Sequence, residues 1–444
     1  MRRYILSFLL FTSILFTQYN PNLLPNQGNL GGGLGMTWID GQPHYTFRLN
    51  PEVAFANFGV GLDLNLDFDS NGKLRTENFN EFSDYASIIR YVRYGQKNDP
   101  LYVRLGALDY ASLGHGTILY MYNNRASFDS RKIGLEFDID FNTFGVESVY
   151  GSFGEAGIFG LRGYTRPLQF TDLRSVPVLG SIEVGATFVT DFNKNTGVTS
   201  GFINPNGEFQ STNDLGSLNI IGFDIGIPIV NTSMFNLDLY FDVNKIIDFG
   251  SGTALGFISR FKGLGLVDVN FKLERRFNGD NYIPSYFNSL YEIERFKYDP
   301  VSGNVTSKIQ TLQNLQSVGN GFYGELYVDV LGLFDIIGSY QRLDDYPKSG
   351  ILHLASEVAP EEAPFLARAG YDKINIQDEK DLFTLDDRSY LFFELGYKPM
   401  KYILVSMVYN WTFTPLRDND DNIIGYEPQK RIEPRVSFIY PFSF

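Results

Sequence analysis

The chain predicts an all-β fold, a transmembrane antiparallel β-barrel of roughly 14–18 strands with short periplasmic turns and long outer loops. Three observations carry this expectation. Strict apolar–polar alternation recurs along the 444 residues, and alternation puts successive side chains on opposite faces of a strand. The alternating runs are about 9–11 residues long, the length a tilted strand needs to cross a bilayer, and beyond the N-terminus no apolar run approaches the ~20 residues of a helical span. Aromatics make up 16 % of the chain, with 40 Phe and 28 Tyr, and they gather where runs end, at Phe68, Tyr94, Tyr122, Phe153, Phe192, Phe261, Tyr397 and Phe413. Aromatic girdles at both interfaces belong to lipid-facing barrels. A soluble sandwich or propeller is the competing fold, but there the apolar face would meet a second sheet.

The N-terminus opens with Arg2 and Arg3 and an almost wholly apolar run from Tyr4 to Phe16, which Gln18, Asn20, Pro21 and Asn22 stop. Basic residues followed by about a dozen apolar ones make a secretory signal pattern. Residues 1–17 therefore read as an export signal, 18–33 as an N-terminal extension and 34–444 as the barrel. Gly31-Gly32-Gly33-Leu34-Gly35 follows no strand and lacks the Lys-Ser/Thr of a phosphate loop, so it reads as a flexible approach to the first strand. Alternation is clearest at 60–68, 133–141, 235–243 and 267–274. Further strands are expected at 34–39, 44–49, 87–94, 101–107, 117–122, 144–153, 158–166, 182–192, 218–227, 253–261, 322–331, 333–340, 390–397, 402–413 and 435–444. Tight turns fall at Asp40-Gly41, Asn142-Thr143, Lys262-Gly263, Gly332 and Lys398-Pro399. Long polar links fall at 69–86, 193–216, 276–320, 344–388 and 414–430, with a short helix at 285–298.

Composition narrows the function. With no Cys there are no disulfides, thiolate sites or Cys nucleophiles. Only His44, His115 and His353 are present, little material for a histidine-rich metal site. A net charge of −14 argues against nucleic-acid binding, and removing Arg2 and Arg3 makes the chain more acidic still. The chain is expected to be no enzyme, with no catalytic residues, no cofactor and no metal. His115 has Ser112 and Thr117 close in sequence, but a His between two glycines fits a tight turn or a lumen polar group. The doublets Asp344-Asp345, Asp386-Asp387 and Asp420-Asp421 have only His353 nearby and read as solvated. Asp418, Asp420 and Asp421 miss the spacing of a calcium loop.

The last ten residues place Phe438, Tyr440, Phe442 and Phe444 on one face, with an aromatic at the end. This resembles the closing strand of Gram-negative outer-membrane β-barrel proteins. The resemblance implies a bacterial outer-membrane location, export by the signal peptide, and an assembly signal on those four residues read by the barrel-assembly machinery. The stretch 88–124, with Arg90-Tyr91-Val92-Arg93-Tyr94-Gly95 and Leu113-Gly114-His115-Gly116, looks like a set of porin-like barrels to which no substrate is attached.

Charge in a barrel strand costs about 2–4 kcal/mol on the lipid face for Arg or Lys at midplane, so strand charges should point inward. Arg90, Arg104 and Arg162 are expected to line one wall of a pore. Asp63, Asp67, Glu136, Asp138, Asp238, Asp242 and Asp268 are expected as its acidic lining. General porins, which the chain resembles, use such a transverse field at their constriction. The leading expectation is a diffusion channel for small polar solutes, with outer-membrane lipid as a partner and homo-oligomerisation allowed by the fold. The rivals are a non-channel barrel acting as a surface adhesin or as scaffold of an envelope complex, and a transporter of hydrophobic substrates. The last needs a plug, for which the residues before the first strand are too few. Residues 344–388, read as outer loop, carry 11 acidic and 5 basic residues and favour cations.

Overall fold

A computed structural model describes residues 27–444 apart from 77, 78, 80, 81, 87, 98, 264, 317, 332, 359–363 and 444. The expected signal segment 1–17, Phe444 and the expected turn at Gly332 lie outside the described residues. Among those described, no helix is long and apolar enough to cross a membrane. Twenty antiparallel strands form one closed ladder. They are β1 (Gln27–Ile39), β2 (Gln42–Leu49, resuming as Glu52–Phe55), β3 (Phe58–Leu62 and Leu64–Phe68), β4 (Ile89–Tyr94), β5 (Leu101–Gly106), β6 (Gly134–Asp140) and β7 (Phe144–Tyr150). Then come β8 (Ile158–Thr165), β9 (Glu183–Asp191), β10 (Leu218–Asn231), β11 (Phe235–Ile246), β12 (Ser251–Gly263), β13 (Val267–Asn278) and β14 (Gly321–Val330). The series ends with β15 (Phe334–Leu343), β16 (Gly350–Val358), β17 (Phe365–Ile376), β18 (Ser389–Met400), β19 (Ile403–Arg417) and β20 (Ile423–Ser443).

Each strand pairs with the next, and β20 returns to β1 from Gln27↔Ser443 to Ile39↔Arg431. No edge remains, which satisfies the backbone in lipid. The first strand begins at Gln27, so the glycine run is barrel wall and not an extension. Its glycines let the seam close tightly: a Cβ on Gly28 would lie 2.2 Å from Cζ of Phe442. Pro441 sits beyond the end of β19. Ile439, of the same parity, sends its N–H to Tyr402 O, so the N–H that Pro441 lacks would have pointed past Ile403, the first residue of β19.

Outward positions form an apolar belt. On β10, Ile221 and Phe223 are exposed while Asp224 is buried inward; Leu255, Leu326, Leu395, Val405 and Met407 continue the belt on other strands. Phe153, Phe192, Phe261 and Tyr397 stand exposed near strand ends as the girdle reading expects, but Tyr122 and Phe413 are fully buried and face the interior.

The even strand number puts both termini of the ladder at one end, and the long links at the other mark the termini's end as the periplasmic one. The four longest links, 69–88, 107–133, 192–217 and 279–320, all leave from the opposite end, whereas the 17-residue link 166–182, with its three 3-10 turns, lies at the termini's end and is longer than the short turn expected there. The strand number exceeds the expected 14–18 because 344–388 is not one loop. It contains β16 and β17. Residues 117–122, expected as a strand, are not in the wall. The expected 285–298 helix is a single turn, Tyr291–Glu294, followed by a hairpin, Phe296–Asp299 with Asn304–Ser307. The turn after β18 falls at Lys401–Tyr402, beyond Lys398-Pro399, and Asp40-Gly41 turns at the outer end.

Candidate functional site

Two outer loops turn inward and fill the outer half of the lumen. Residues 107–133 join β5 to β6, and 279–320 join β13 to β14. They hold each other by backbone bonds, Tyr120 N–H to Phe287 O at 2.9 Å and Phe287 N–H to Ile118 O at 3.1 Å. They share an apolar core in which Leu119, Phe287 and Leu312 pack with the inward wall residues Val149, Val189 and Ile220. This is plug material, and it comes from mid-chain loops. The hairpin in 192–217, Val198–Ile203 with Phe209–Asp214, closes over it: Phe209 packs 5.2 Å from Phe296 and 5.3 Å from Tyr298.

Buried polar networks fix the plug to the wall. Asp372 of β17 accepts from Ser289 at 2.8 Å, His353 at 2.9 Å and the Tyr110 hydroxyl at 3.3 Å, so both loops meet at one carboxylate. Arg295 donates to Asp191 at 2.6 Å and to both oxygens of Glu292 at 2.7 Å. Burial works to raise the Glu292 carboxyl, but Arg295 and Lys132 outweigh it and hold it well below the usual range. Asp129 accepts from Arg75 at 2.6 Å, Gln429 at 3.0 Å and Arg431 at 3.3 Å. Burial opposes, yet Arg431 and Arg75 hold its pKa down to about 2.

The predicted lining residues do point inward, but most are engaged locally. Arg90 and Arg104 both reach Asp109 of the plug, at 3.4 and 2.8 Å. Arg162 binds Glu147, Glu183 and Asp224 at 2.7–2.8 Å. Asp63 pairs with Arg125 at 3.0 Å, Asp67 with Arg431 at 3.4 Å, Glu136 and Asp138 with Lys97 at 2.7 and 2.8 Å, and Asp242 with His115 at 3.0 Å. The Arg wall facing an acidic wall across open water is therefore corrected. Each of these cations is neutralised by carboxylates beside it, because strand neighbours and plug residues lie within ion-pair reach. Asp238, with Arg260 at 3.0 Å, and Asp268 differ; they sit half-exposed near the periplasmic end.

That end holds an arrangement hidden in the sequence. Register places Asp268, Asp329, Asp335, Glu357, Arg368 and Glu394 side by side on six adjacent strands, β13 to β18. All share the inward parity of Lys272, Ser339, His353 and Asp372. Five carboxylates on one level form an acidic ledge below the plug, relieved by Arg368, which lies 3.2 Å from Glu357 and 3.8 Å from Glu394. The acidic excess of 344–388 thus divides between this ledge, the lumen wall and the outer loops. At the outer end a cavity of about 410 Å³ opens between 279–320 and β15–β17, lined by Asn288, Glu294, Lys308, Gln341 and Asn375 among others.

The two catalytic groupings are not assembled. Ser112 Oγ accepts from Met121 N–H at 3.1 Å while His115 engages Asp242, and His353 is buried on Asp372, in β16 and away from the aspartate doublets. Of the residues expected to form an assembly signal, Phe438 and Tyr440 face outward and exposed, and Phe442 is half-buried on Gly28.

The closed ladder and its apolar belt decide the architecture. The chain is a closed, antiparallel transmembrane β-barrel. No family model matches its sequence, and no curated protein matches it. Among solved structures it is similar to OccK9 (OpdG) of Pseudomonas aeruginosa, at 9 % identity over 94 % of this chain and 98 % of that one, with a TM-score of 0.33. It is similar to OccAB2 of Acinetobacter baumannii at 11 % identity over 94 % and 98 %, TM-score 0.31. It is also similar to Wzi of Escherichia coli, an outer-membrane protein involved in group 1 capsule assembly and a carbohydrate-binding β-barrel, at 10 % identity over 95 % and 85 %, TM-score 0.35. Likeness at this level carries no ligand across, and the architecture rests on the chain's own ladder.

Proposed function

We propose that the barrel is a narrow, cation-preferring channel for small polar solutes, its bore set by the two inward loops. The acidic ledge carries the reading. Five carboxylates held on one lumenal level, outside the plug's sealed core, concentrate cations where low-dielectric walls focus the field. The outer cavity supplies a vestibule of small-solute size. Twenty strands alone would leave a wide aqueous bore, so the plug and not the wall sets the size limit. Reversal potentials in a potassium chloride gradient test this. The wild type should prefer cations, and the triple variant Asp329→Asn, Asp335→Asn, Glu357→Gln should lose most of that preference. Anion preference in the wild type would contradict the reading.

A barrel that works through its loops, as adhesin or envelope scaffold, is the second reading. It is favoured by the density of buried ion pairs between plug and wall, and absence of conductance would support it.

A further inference from the structure

The Gly114-His115-Gly116 turn has a use that a passive constriction does not require. Both glycines have positive φ, +53° and +83°, a conformation open to glycine at little cost, and together they aim His115 from the plug at the wall. The imidazole stacks on Tyr240 with centroids 4.2 Å apart, and Lys272 Nζ bonds the His115 carbonyl at 2.6 Å. Three side chains converge there. A ring nitrogen of His115 and one carboxylate oxygen each from Asp224 (β10) and Asp242 (β11) lie within 4.8 Å of one another.

Two further observations point to a cation-binding role. Asp242 is almost fully buried, and while its Oδ1 meets His115 Nδ1 at 3.0 Å, its Oδ2 has no hydrogen-bond partner among the described residues. A buried carboxylate oxygen left unpaired is costly. Beside it lies a cavity of about 10 Å³, lined by His115, Asp224, Asp242, Thr117 and Asn244, room for one small particle. The charge around it is unbalanced. Asp224 is forked by Arg162 at 2.7 and 3.0 Å, but that guanidinium also serves Glu147 and Glu183, and Asp242 has only the imidazole. Arg166 reaches Glu183, and Lys272 is committed to Glu274.

We propose that His115, Asp224 and Asp242 bind one divalent transition-metal ion that fastens the plug to the wall. One imidazole and two carboxylates leave a fourth position for water, a donor set suited to Zn²⁺ and ill-suited to hard cations that take only oxygen. Bonds of about 2.0–2.2 Å require the three donors to draw closer than they now stand, and the two-glycine turn gives His115 that freedom. Such an ion would couple the plug's position to metal supply.

The test uses the purified, folded barrel in detergent, stripped with a chelator and titrated with Zn²⁺ by calorimetry. Metal content after gel filtration is measured in parallel. One Zn²⁺ per barrel is expected. His115→Gln and Asp242→Asn should each weaken binding at least tenfold while keeping heat-modifiable migration, and His44→Gln, at a half-buried imidazole outside the site, should change nothing. Zn²⁺ should also slow proteolysis within 107–133 in the wild type but not in Asp242→Asn. No binding by the wild type, or binding that survives both His115→Gln and Asp242→Asn unchanged, would overturn the site.

Discussion

Arg295 shows how single residues hold this lumen. One guanidinium neutralises Asp191 from the wall and Glu292 from its own loop, and all three are buried. Removing it strands two carboxylates in a dry interior, and breaking a buried pair costs about 3–5 kcal/mol. Arg295→Met should lower stability by that order in urea unfolding of the detergent-solubilised barrel. Arg260→Met, at a half-exposed pair, should cost no more than about 1 kcal/mol. Acid should act on the same class of contact. Asp129 holds its proton only near pH 2 when docked, against about 3.9 unfolded. Its depressed value means that its contribution is complete above about pH 4 and is lost as pH falls through 2. Pepsin cleavage within 107–133 should therefore begin below about pH 3, and Asp129→Asn should already show a looser plug at pH 6, by faster proteolysis of that segment with a neutral-pH protease. A plug equally resistant at pH 2 and pH 4 would show that this carboxylate does not hold it.

Among the elements, the seam between β1 and β20 sets a tight local requirement. Gly28→Val would drive a side chain into the Phe442 ring, whereas Gly163 has open space around its Cβ position. Gly28→Val should cut the heat-modifiable fraction several-fold at equal expression, and Gly163→Ala should leave it unchanged. Alternation made eighteen strands legible in the sequence. The two it missed, β16 and β17, break the pattern for a physical reason. Their inward faces carry Ile351, Ala355, Leu366 and Ile374, the upper ones turned to the plug rather than water, and the outward face of β17 carries Ala367, Ala369 and Lys373. Thr117 to Tyr122 read as a strand because it is β-branched and aromatic between Gly116 and the Asn123-Asn124 pair. It is bent, with Met121 at a positive φ of 54°, and makes only isolated bridges, to Ala111 and Phe287 within the plug. The inward orientation of the charged strand residues was legible, whereas their pairing was not. Arg104 finds Asp109, and Asp67 finds Arg431 across 364 residues. The ledge was hidden likewise, since Asp268, Asp329, Asp335 and Glu357 become neighbours only through register.

For the whole molecule, the decisive question is whether the plug sets the bore. The ends of 107–133 are adjacent, because Gly106 pairs with Gly134 across β5 and β6, so the segment can be replaced by a four-residue Gly/Ser turn without opening the ladder. Single-channel conductance of the wild type and this variant in planar bilayers measures the claim directly. The wild type should give small, cation-preferring steps, and the variant steps several-fold larger with weaker selectivity. Equal conductance in the two proteins would contradict a bore set by the inward loops.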